Sequence, residues 1–473
     1  MAPQSPTRER ILFVTGRMAE PAVREVVAAV SSDVGFDYEI AVVGVSVAAL
    51  LTPALVERRL QVASHFDRAI LPGWCLGDLD RLSDRFGIPF ELGPKDIYDL
   101  PVFFGQGTRQ PPDLSAYDIE ILAEINHAPR LPEPELRRAA EEYRRDGADV
   151  IDLGCEPGRQ WAGVADAVRS LIRDGHRVSI DSFDRREVED AVTAGAELVL
   201  SCNGSNVEWA SRLPVELVAI PDDPKRLDSI LPTLETLLEN GARFRIDPIV
   251  EPIGFGFASS LVRYQEARNR WPDVELMMGI GNLTELTEVD SAGPNMLLAG
   301  ICQELRIRSV LTTQVINWCR SAVKEFDLAR RIMRHSISKG VPPKHLGGDL
   351  VMLRDPEIRD RGDEELKRLH AAIKDPNFRI FGEGGELHLM NRDGYWHGPD
   401  PFEVFDHALE HSGPIDAQHA FYLGYELAKA ATAISLGKRY VQDAPLRWGF
   451  LTRPETSAVE RRHAHRSDAD PAG

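Results

Sequence analysis

The most informative segment of the chain spans residues 174–204 and reads DGHRVSIDSFDRREVEDAVTAGAELVLSCNG. Val178–Ile180 is an apolar, strand-like run that leads directly into Asp181. A charged stretch with the apolar spacing of a helix follows, and a second apolar run, Leu198–Leu200, leads to Asn203. The segment therefore predicts a strand–helix–strand unit in which Asp181 and Asn203 lie at the carboxyl ends of neighbouring parallel strands, the edge that carries the chemistry of parallel barrels.

A carboxylate beside a carboxamide suits a flat heterocycle that is rich in hydrogen-bonding groups. The carboxylate accepts two parallel N–H donors, and the amide offers one donor and one acceptor. The alternative interpretation is structural: Asp181 caps the helix that follows it, and Asn203 supports a turn.

The same alternation of strand and helix continues from residue 118 to about residue 338. The predicted strands are Ile119–Ile125, Val150–Leu153, Val178–Ile180, Leu198–Leu200, Glu216–Ile220, Arg243–Ile246, Glu275–Met278 and Ser309–Leu311. About eight β/α units of this size predict a TIM (β/α)8 barrel, with a doubly wound sheet as the alternative.

The flanking regions predict further domains around the central barrel, giving an α/β protein overall. We assign residues 1–112 to an N-terminal α/β domain and a linker rich in proline and glycine, and residues 113–340 to the barrel. A hairpin within 376–391 and a helix over about 416–436 predict a C-terminal α+β extension, residues 341–452. Residues 453–473 are polar and predict a disordered tail.

Composition restricts the class of partner. The net charge of −19 argues against a nucleic-acid partner, because such proteins usually present basic surface. No apolar run reaches the roughly 20 residues that span a bilayer, and the start of the chain lacks a signal-peptide core. We therefore expect a cytoplasmic protein without a membrane partner, whose five cysteines are reduced.

Polar side chains recur where the predicted barrel strands end. They are Asn126, Asp152, Asp181, Asn203, Asp247 and Asn282. Asp152 lies between Ile151 and Leu153, so its carboxyl group needs hydrogen-bond partners inside the barrel. A carboxylate or amide at six of eight strand ends predicts a binding site on one rim.

Three segments resemble a known family. Residues 176–204 resemble the core around strands three and four of dihydropteroate synthase, GADVIDLGCEPG (147–158) resembles its second-strand motif, and RIDPIVEPIGFGF (245–257) resembles its sixth-strand motif. The resemblance covers residues 118–338. The whole architecture is similar to the dihydropteroate synthase-related proteins of methanogens and methylotrophs, which are associated with tetrahydromethanopterin.

The resemblance implies roles for the residues at the strand ends. Asp181, Asn203 and Asp247 would hold the amino-pyrimidine edge of a pterin, and Asp152 would lie beneath it near the reacting methylene group. Asn126 would contact Mg²⁺ and diphosphate, and Arg159 resembles a loop arginine of the synthases.

The sequence departs from the synthases at strands seven and eight. Gly281-Asn282-Leu283 replaces a motif that ends in lysine, and Leu311-Thr312-Thr313-Gln314 replaces a motif with arginine and histidine. Arg320 and Lys324 are candidates for the missing phosphate-binding cations, although they would also be ordinary on a solvated helix face.

The favoured hypothesis is a synthase-like transferase of tetrahydromethanopterin biosynthesis. It would condense 6-hydroxymethyl-dihydropterin diphosphate with an arylamine, for which the family context implies 4-(β-D-ribofuranosyl)aminobenzene 5′-phosphate, and analogy with related barrels implies a homodimer. AEIN (123–126) and GIGN (279–282) instead resemble pterin-dependent methyltransferases that act with a separate corrinoid protein, in which Asn282 would contact the pterin. A third hypothesis is a pterin carrier without catalytic activity.

Overall fold

The computed structural model of the protein describes residues 8–61, 65–106, 112–344, 346–347, 349–355, 358 and 360–455. The chain divides into two compact units, Met1–Gly348 and Asp349–Gly473. The first unit holds an α/β domain and a barrel, and the second is an α+β extension. Beyond Glu455, the predicted disordered tail lies outside the described residues.

The N-terminal domain alternates strands and helices, as the sequence predicts. Its elements are β1 (Arg10–Thr15), α1 (Glu20–Val34), β2 (Asp37–Val42), α2 (Pro53–Arg59), β3 (Arg68–Leu71), α3 (Asp80–Phe86), β4 (Phe90–Leu92) and α4 (Leu100–Phe103). The strands form a parallel sheet in the order β2–β1–β3–β4. The short helix α4 begins the stretch that the sequence assigned to a linker, and residues 107–111 of that stretch lie outside the described residues.

The second group of elements forms the barrel. In chain order they are β5 (Glu120–Ile125), α5 (Glu133–Asp146), β6 (Val150–Gly154), α6 (Val164–Arg173), β7 (Val178–Asp181), α7 (Arg185–Ala194), β8 (Leu198–Cys202), α8 (Val207–Ala210), β9 (Glu216–Ala219), α9 (Leu231–Glu239), β10 (Arg243–Ile246), α10 (Phe257–Arg270), β11 (Met277–Gly279), α11 (Gly281–Thr284), α12 (Ala292–Glu304), β12 (Ser309–Thr312) and α13 (Ala322–Lys339).

These eight strands close into a parallel barrel. Hydrogen bonding runs in the order β10–β9–β8–β7–β6–β5–β12–β11. A parallel bridge between Ile246 and Leu276 joins β10 to the residue just before β11, so the two ends of the order meet. The (β/α)8 barrel, the N-terminal α/β domain and the C-terminal extension predicted from the sequence are thereby confirmed.

The barrel strands are apolar because both of their faces are buried. One face packs against the helices, where Ile151, Leu153 and Ile180 lie in the large core between the two layers. The other face fills the barrel interior, where Leu122, Val150 and other side chains form a separate apolar cluster. This packing fixes the residues that follow each strand on one rim.

The second unit combines antiparallel strands with helices. Its elements are α14 (Asp363–Ala372), β13 (Arg379–Glu383), β14 (Glu386–Asn391), β15 (Gly394–Gly398), α15 (Pro401–His411) and α16 (Ala417–Leu436). The strands pair in the order β13–β14–β15. The predicted hairpin and long helix are present, and α16 ends at Gly437 in the left-handed conformation, with φ of 66°. Among the helices described here, none is long and apolar enough to cross a membrane.

Candidate functional site

The barrel interior is layered along its axis. At the amino ends of the strands lies an ion-pair network in which Arg245 bonds Glu120 at 3.0 Å and Glu216 at 2.8 Å. The apolar cluster follows, formed by Leu122, Val150, Leu198, Leu200, Val218 and Met277. Because side chains two residues apart share a face of a strand, the next layer towards the carboxyl ends consists of carboxyl groups. We call this set, Glu124, Asp152, Asp181 and Asp247, the carboxyl layer. The polar chemistry of the interior is therefore concentrated at the carboxyl-end rim.

Asp152 lies in this layer and is completely buried. The Ser179 hydroxyl donates to its Oδ1 at 2.6 Å, whereas its Oδ2 is buried without a hydrogen-bond partner in the described structure. Burial raises the pKa of Asp152 well above its ordinary value, and the neighbouring carboxylates Asp181 and Glu124 raise it further. An unpartnered buried carboxyl oxygen is unusual in a folded protein and indicates a place for a ligand donor.

Asp181 is the last residue of β7 and pairs in register with Gly154 of β6. Burial raises its pKa, and a hydrogen bond from Ser201 opposes that rise. The helix α7 is capped by Asp184, whose side chain accepts from the backbone of Arg186 and Glu187. Asp181 therefore does not serve as the helix cap, which was the structural alternative for this residue.

Glu124 is a member of the carboxyl layer that the sequence interpretation did not single out. It lies on β5 directly opposite Asp152 in register. Gly154 makes room for it, because a Cβ at that position would overlap the Glu124 carboxylate. Burial, together with Asp181 and Glu285, raises the pKa of Glu124 to about 7. A charged residue inside the apolar run ILAEI was the signal, the same signal that identified Asp152.

Asp247 follows β10 and is held by several donors. The Tyr264 hydroxyl and the Ile249 backbone donate to Oδ1 at 2.5 and 2.7 Å, and the Gly279 backbone donates to Oδ2 at 3.2 Å. Burial raises the pKa of this carboxyl to about 6 even though these bonds lower it. Asp247 is thus fixed in orientation before any ligand binds.

Two strand-end asparagines beyond the carboxyl layer, Asn203 and Asn282, make hydrogen bonds within the protein. The Asn203 oxygen accepts hydrogen bonds from the backbone and the hydroxyl of Ser205 at 3.0 and 2.7 Å. Asn203 therefore supports the turn that follows it, which was the structural alternative for this residue. Its amide nitrogen has no bond to any described residue, so it can still donate. The exposed Asn282 donates its amide to the Val250 carbonyl at 3.0 Å.

Asn126 directly precedes His127, one of three basic side chains that contact Glu156. Its Oδ1 is buried and has no partner among the described residues. Glu156 is contacted by Arg130, by His127 at 3.6 Å and by Arg159 at 3.7 Å. We call the two arginines, Arg130 and Arg159, the loop cation cluster. One carboxylate does not neutralise two arginines, so this corner of the rim can attract an anion.

The two downstream cations occupy the region after β12. Arg320 is exposed and donates to the Asn317 side chain at 3.4 Å, and Lys324 is half-buried on α13. No group of three or more His, Cys, Asp or Glu residues with metal-binding spacing occurs in the described part of the chain. The free Asn126 oxygen nevertheless fits a Mg²⁺ that takes most of its ligands from water and phosphate.

The raised pKa values predict how stability depends on pH. Glu124 and Asp247 bind protons more tightly when folded, with pKa near 7 and 6 against ordinary values of 4.5 and 3.8. The contribution of these two groups to the stability of the fold is therefore fully present below about pH 4, and it is lost as the pH rises through 6 and 7. Each shift corresponds to roughly 3 kcal/mol. We expect the barrel to resist urea better at pH 5.5 than at pH 8.

The Glu124→Gln variant tests this assignment, because glutamine removes one of the two titrating groups. Its unfolding free energy at pH 8 should be higher than that of the wild-type protein, and its pH dependence should be shallower. Equal slopes for the two proteins, or greater wild-type stability at pH 8 than at pH 5.5, would contradict the assignment.

Two family models match parts of the chain. A model described as a family of unknown function, DUF6513, matches residues 9–95, and a model described as PterinBD-DUF4346 matches residues 366–443. Neither includes a barrel residue. An uncharacterized protein of Methanocaldococcus jannaschii is 25% identical, and the match covers 92% of this chain and 99% of that protein.

Solved structures of dihydropteroate synthase also resemble part of the chain. The enzyme of Thermus thermophilus is 20% identical with a TM-score of 0.38, covering 47% of this chain and 95% of its own. The Burkholderia cenocepacia enzyme complexed with 7,8-dihydropteroate is 18% identical with a TM-score of 0.38, covering 46% and 92%. The chain is therefore similar over most of its length to an uncharacterized protein, and over about half of it to these synthases.

Proposed function

We propose that the barrel binds a pterin and that the protein is a dihydropteroate synthase-like transferase. The observation that carries the proposal is the carboxyl layer at the carboxyl ends of the strands, where Asp152 keeps a completely buried oxygen free of partners. A ligand that supplies N–H donors would give this oxygen the partner it lacks. The PterinBD-DUF4346 match to residues 366–443 supports the same ligand class.

The amino-pyrimidine edge of a pterin supplies two parallel donors, the ring N3–H and the 2-amino group. Asp181 and Asp247 would accept these donors, and the free amide of Asn203 would donate to a ring nitrogen. Asp247 is already oriented by Tyr264 and two backbone donors, which reduces the cost of ordering it on binding.

The substrate diphosphate would bind beside Asn126 and the loop cation cluster. These cations would take the place of the phosphate-binding cations that strands seven and eight of the synthases carry and this chain lacks. Mg²⁺, held in part by Asn126, would neutralise charge on the diphosphate. Arg320 and Lys324 are proposed to bind the 5′-phosphate of the arylamine, 4-(β-D-ribofuranosyl)aminobenzene 5′-phosphate in tetrahydromethanopterin biosynthesis.

The reaction joins the amine nitrogen to the pterin methylene carbon. The carbon–oxygen bond breaks, its electron pair leaves with the diphosphate, and the amine releases a proton. The tasks of the protein are to align the two reactants and to stabilise negative charge on the leaving group. A cytoplasmic location and a homodimer complete the proposal.

The decisive experiment measures diphosphate release from 6-hydroxymethyl-dihydropterin diphosphate with Mg²⁺. One reaction contains p-aminobenzoate and the other contains the ribofuranosyl-aminobenzene phosphate. Release with the second amine alone supports the proposed reaction, and release with the first supports a folate-type synthase. If neither amine reacts although pterin binds, the proposed condensation is wrong. Methyl transfer from a methyl-pterin to cob(I)alamin would then favour the methyltransferase suggested by the GIGN motif.

The loop cation cluster gives a sharper prediction. Arg130→Gln should raise KM for the pterin diphosphate about tenfold or more, because a charge-assisted bond to phosphate is lost. The affinity for 6-hydroxymethyl-dihydropterin, which has no phosphate, should not change. Arg169→Gln is the matched control, since Arg169 is an exposed arginine that pairs with Asp166 on α6. If KM stays at the wild-type value in Arg130→Gln, the loop cation cluster does not bind the diphosphate.

A further inference from the structure

Hydrogen-bond donors that contact the carboxyl layer are already in use within the protein. The Ser179 hydroxyl donates to Asp152, the Ser201 side chain to Asp181, the Tyr264 hydroxyl to Asp247 and the Thr313 hydroxyl to the nearby Glu285. Two acceptors in the layer, in contrast, have no hydrogen-bond partner among the described residues: the Oδ2 of Asp152 and the carboxylate of Glu124. The layer is therefore rich in acceptors and poor in donors, and a ligand that binds there has to bring N–H groups.

Glu124 is the acceptor in this layer to which the proposed pterin contacts assign no function. Its carboxylate accepts no hydrogen bond from the described residues, and it is only partly buried, so a ligand can reach it. It lies opposite Asp152, whose Oδ2 is also open, and two residues before Asn126 at the rim. Gly154 leaves the space that Glu124 fills. An open carboxylate in this position can accept a donor beyond those that Asp181 and Asp247 accept.

Pterins differ in their ring donors according to their oxidation state. A 7,8-dihydropterin carries an N8–H donor, whereas the fully oxidised ring has a lone pair at N8. The oxidised ring therefore offers one donor fewer and one acceptor more. Beside a carboxylate, that lone pair is repelled, so the two rings should bind this layer unequally.

We infer that Glu124 makes the site selective for reduced pterins by accepting a ring N–H that the oxidised ring lacks. The inference rests on the proposed pterin function and adds to it a residue that determines specificity. The loss of one hydrogen bond to a charged group changes affinity by about tenfold to a hundredfold.

The test compares the dissociation constants of 6-hydroxymethyl-7,8-dihydropterin and 6-hydroxymethylpterin by calorimetric titration under anaerobic conditions at pH 7.5, above the pKa of about 7 at which Glu124 ionises. Wild-type protein should prefer the dihydropterin by at least about tenfold. In Glu124→Gln the amide can donate to the oxidised N8, so the preference should fall to about threefold or less, mainly through weaker dihydropterin binding. Glu285→Gln is the matched control, since it removes a nearby negative charge whose oxygen is already bonded by Thr313.

The outcomes separate this inference from the proposed function. An unchanged preference in Glu124→Gln, or an equal loss in both variants, would overturn the role of Glu124 while the pterin function stands. Equal wild-type affinity for both rings would overturn it in the same way. If neither ring binds the wild-type protein, both the inference and the proposed function are wrong. Circular dichroism spectra that match the wild-type protein show that the variants are folded.

Discussion

Asp181→Asn is expected to weaken the binding of 6-hydroxymethyl-dihydropterin at least a hundredfold. The substitution keeps the shape of the side chain but replaces one acceptor oxygen with a donor nitrogen, which then faces the N–H groups of the pterin edge. Loss of charge-assisted bonds at a buried carboxylate costs about 3 kcal/mol or more, which gives this factor. Calorimetric titration measures the change, and Asp181→Ala should behave in the same way.

Asp184→Asn is the control within the same loop. Asp184 caps α7 by accepting from two backbone amides, so its replacement affects the helix and not the barrel interior. Its pterin affinity should remain within about threefold of the wild-type value, because asparagine is also a good N-cap residue. If Asp181→Asn binds the pterin normally, or if Asp184→Asn loses binding to the same extent, Asp181 does not hold the ring.

The barrel could be predicted from the sequence because its signal repeats. Eight apolar runs alternate with helical spacing, and parallel strands buried on both faces are apolar throughout. A single short strand outside this pattern has no repeated apolar spacing by which it could be predicted. The strand β11 begins at Met277 and not at Glu275, since Leu276 makes only an isolated bridge to β10. The strands β4 and β15 were missed for the same reason, as each is short and is defined by pairing with a neighbour.

The candidate site was predictable where a strand ends in a polar residue, and less so elsewhere. Asp152 and Asp181 lie together in the carboxyl layer, as the positions of their strands imply. Glu124 was missed although it is a charged residue inside an apolar run, because it precedes the end of β5; its register opposite Asp152 places it in the layer. The bond from Asn282 to Val250 joins two loops, and spacing along the chain carries no information about such contacts.

Arg330 is a further residue that sequence patterns do not distinguish, since it lies among other arginines on α13. Its side chain is almost completely buried and its guanidinium bonds the carboxylates of Asp149 at 2.5 Å and Asp327 at 2.6 Å. It also donates to the backbone carbonyls of Ile119 and Gly147. Arg330 thus ties the last helix of the barrel to the start of β5 and to the turn before β6.

Arg330→Met is therefore expected to destabilise the barrel by roughly 3–5 kcal/mol, the cost of removing one partner from a buried ion pair. Methionine fills much of the volume but removes the guanidinium from two carbonyls and two carboxylates. The carboxylates keep only the weaker set of donors that Arg331, Tyr117 and Ile121 supply. Urea denaturation, followed by far-ultraviolet circular dichroism, measures the loss. Arg334→Met is the matched control, because Arg334 lies one helical turn further on, is partly exposed and meets Asp118 at 3.4 Å. A partly exposed pair of this kind contributes about 1 kcal/mol at most. Similar losses in the two variants would mean that the Arg330 network does not hold the barrel closed.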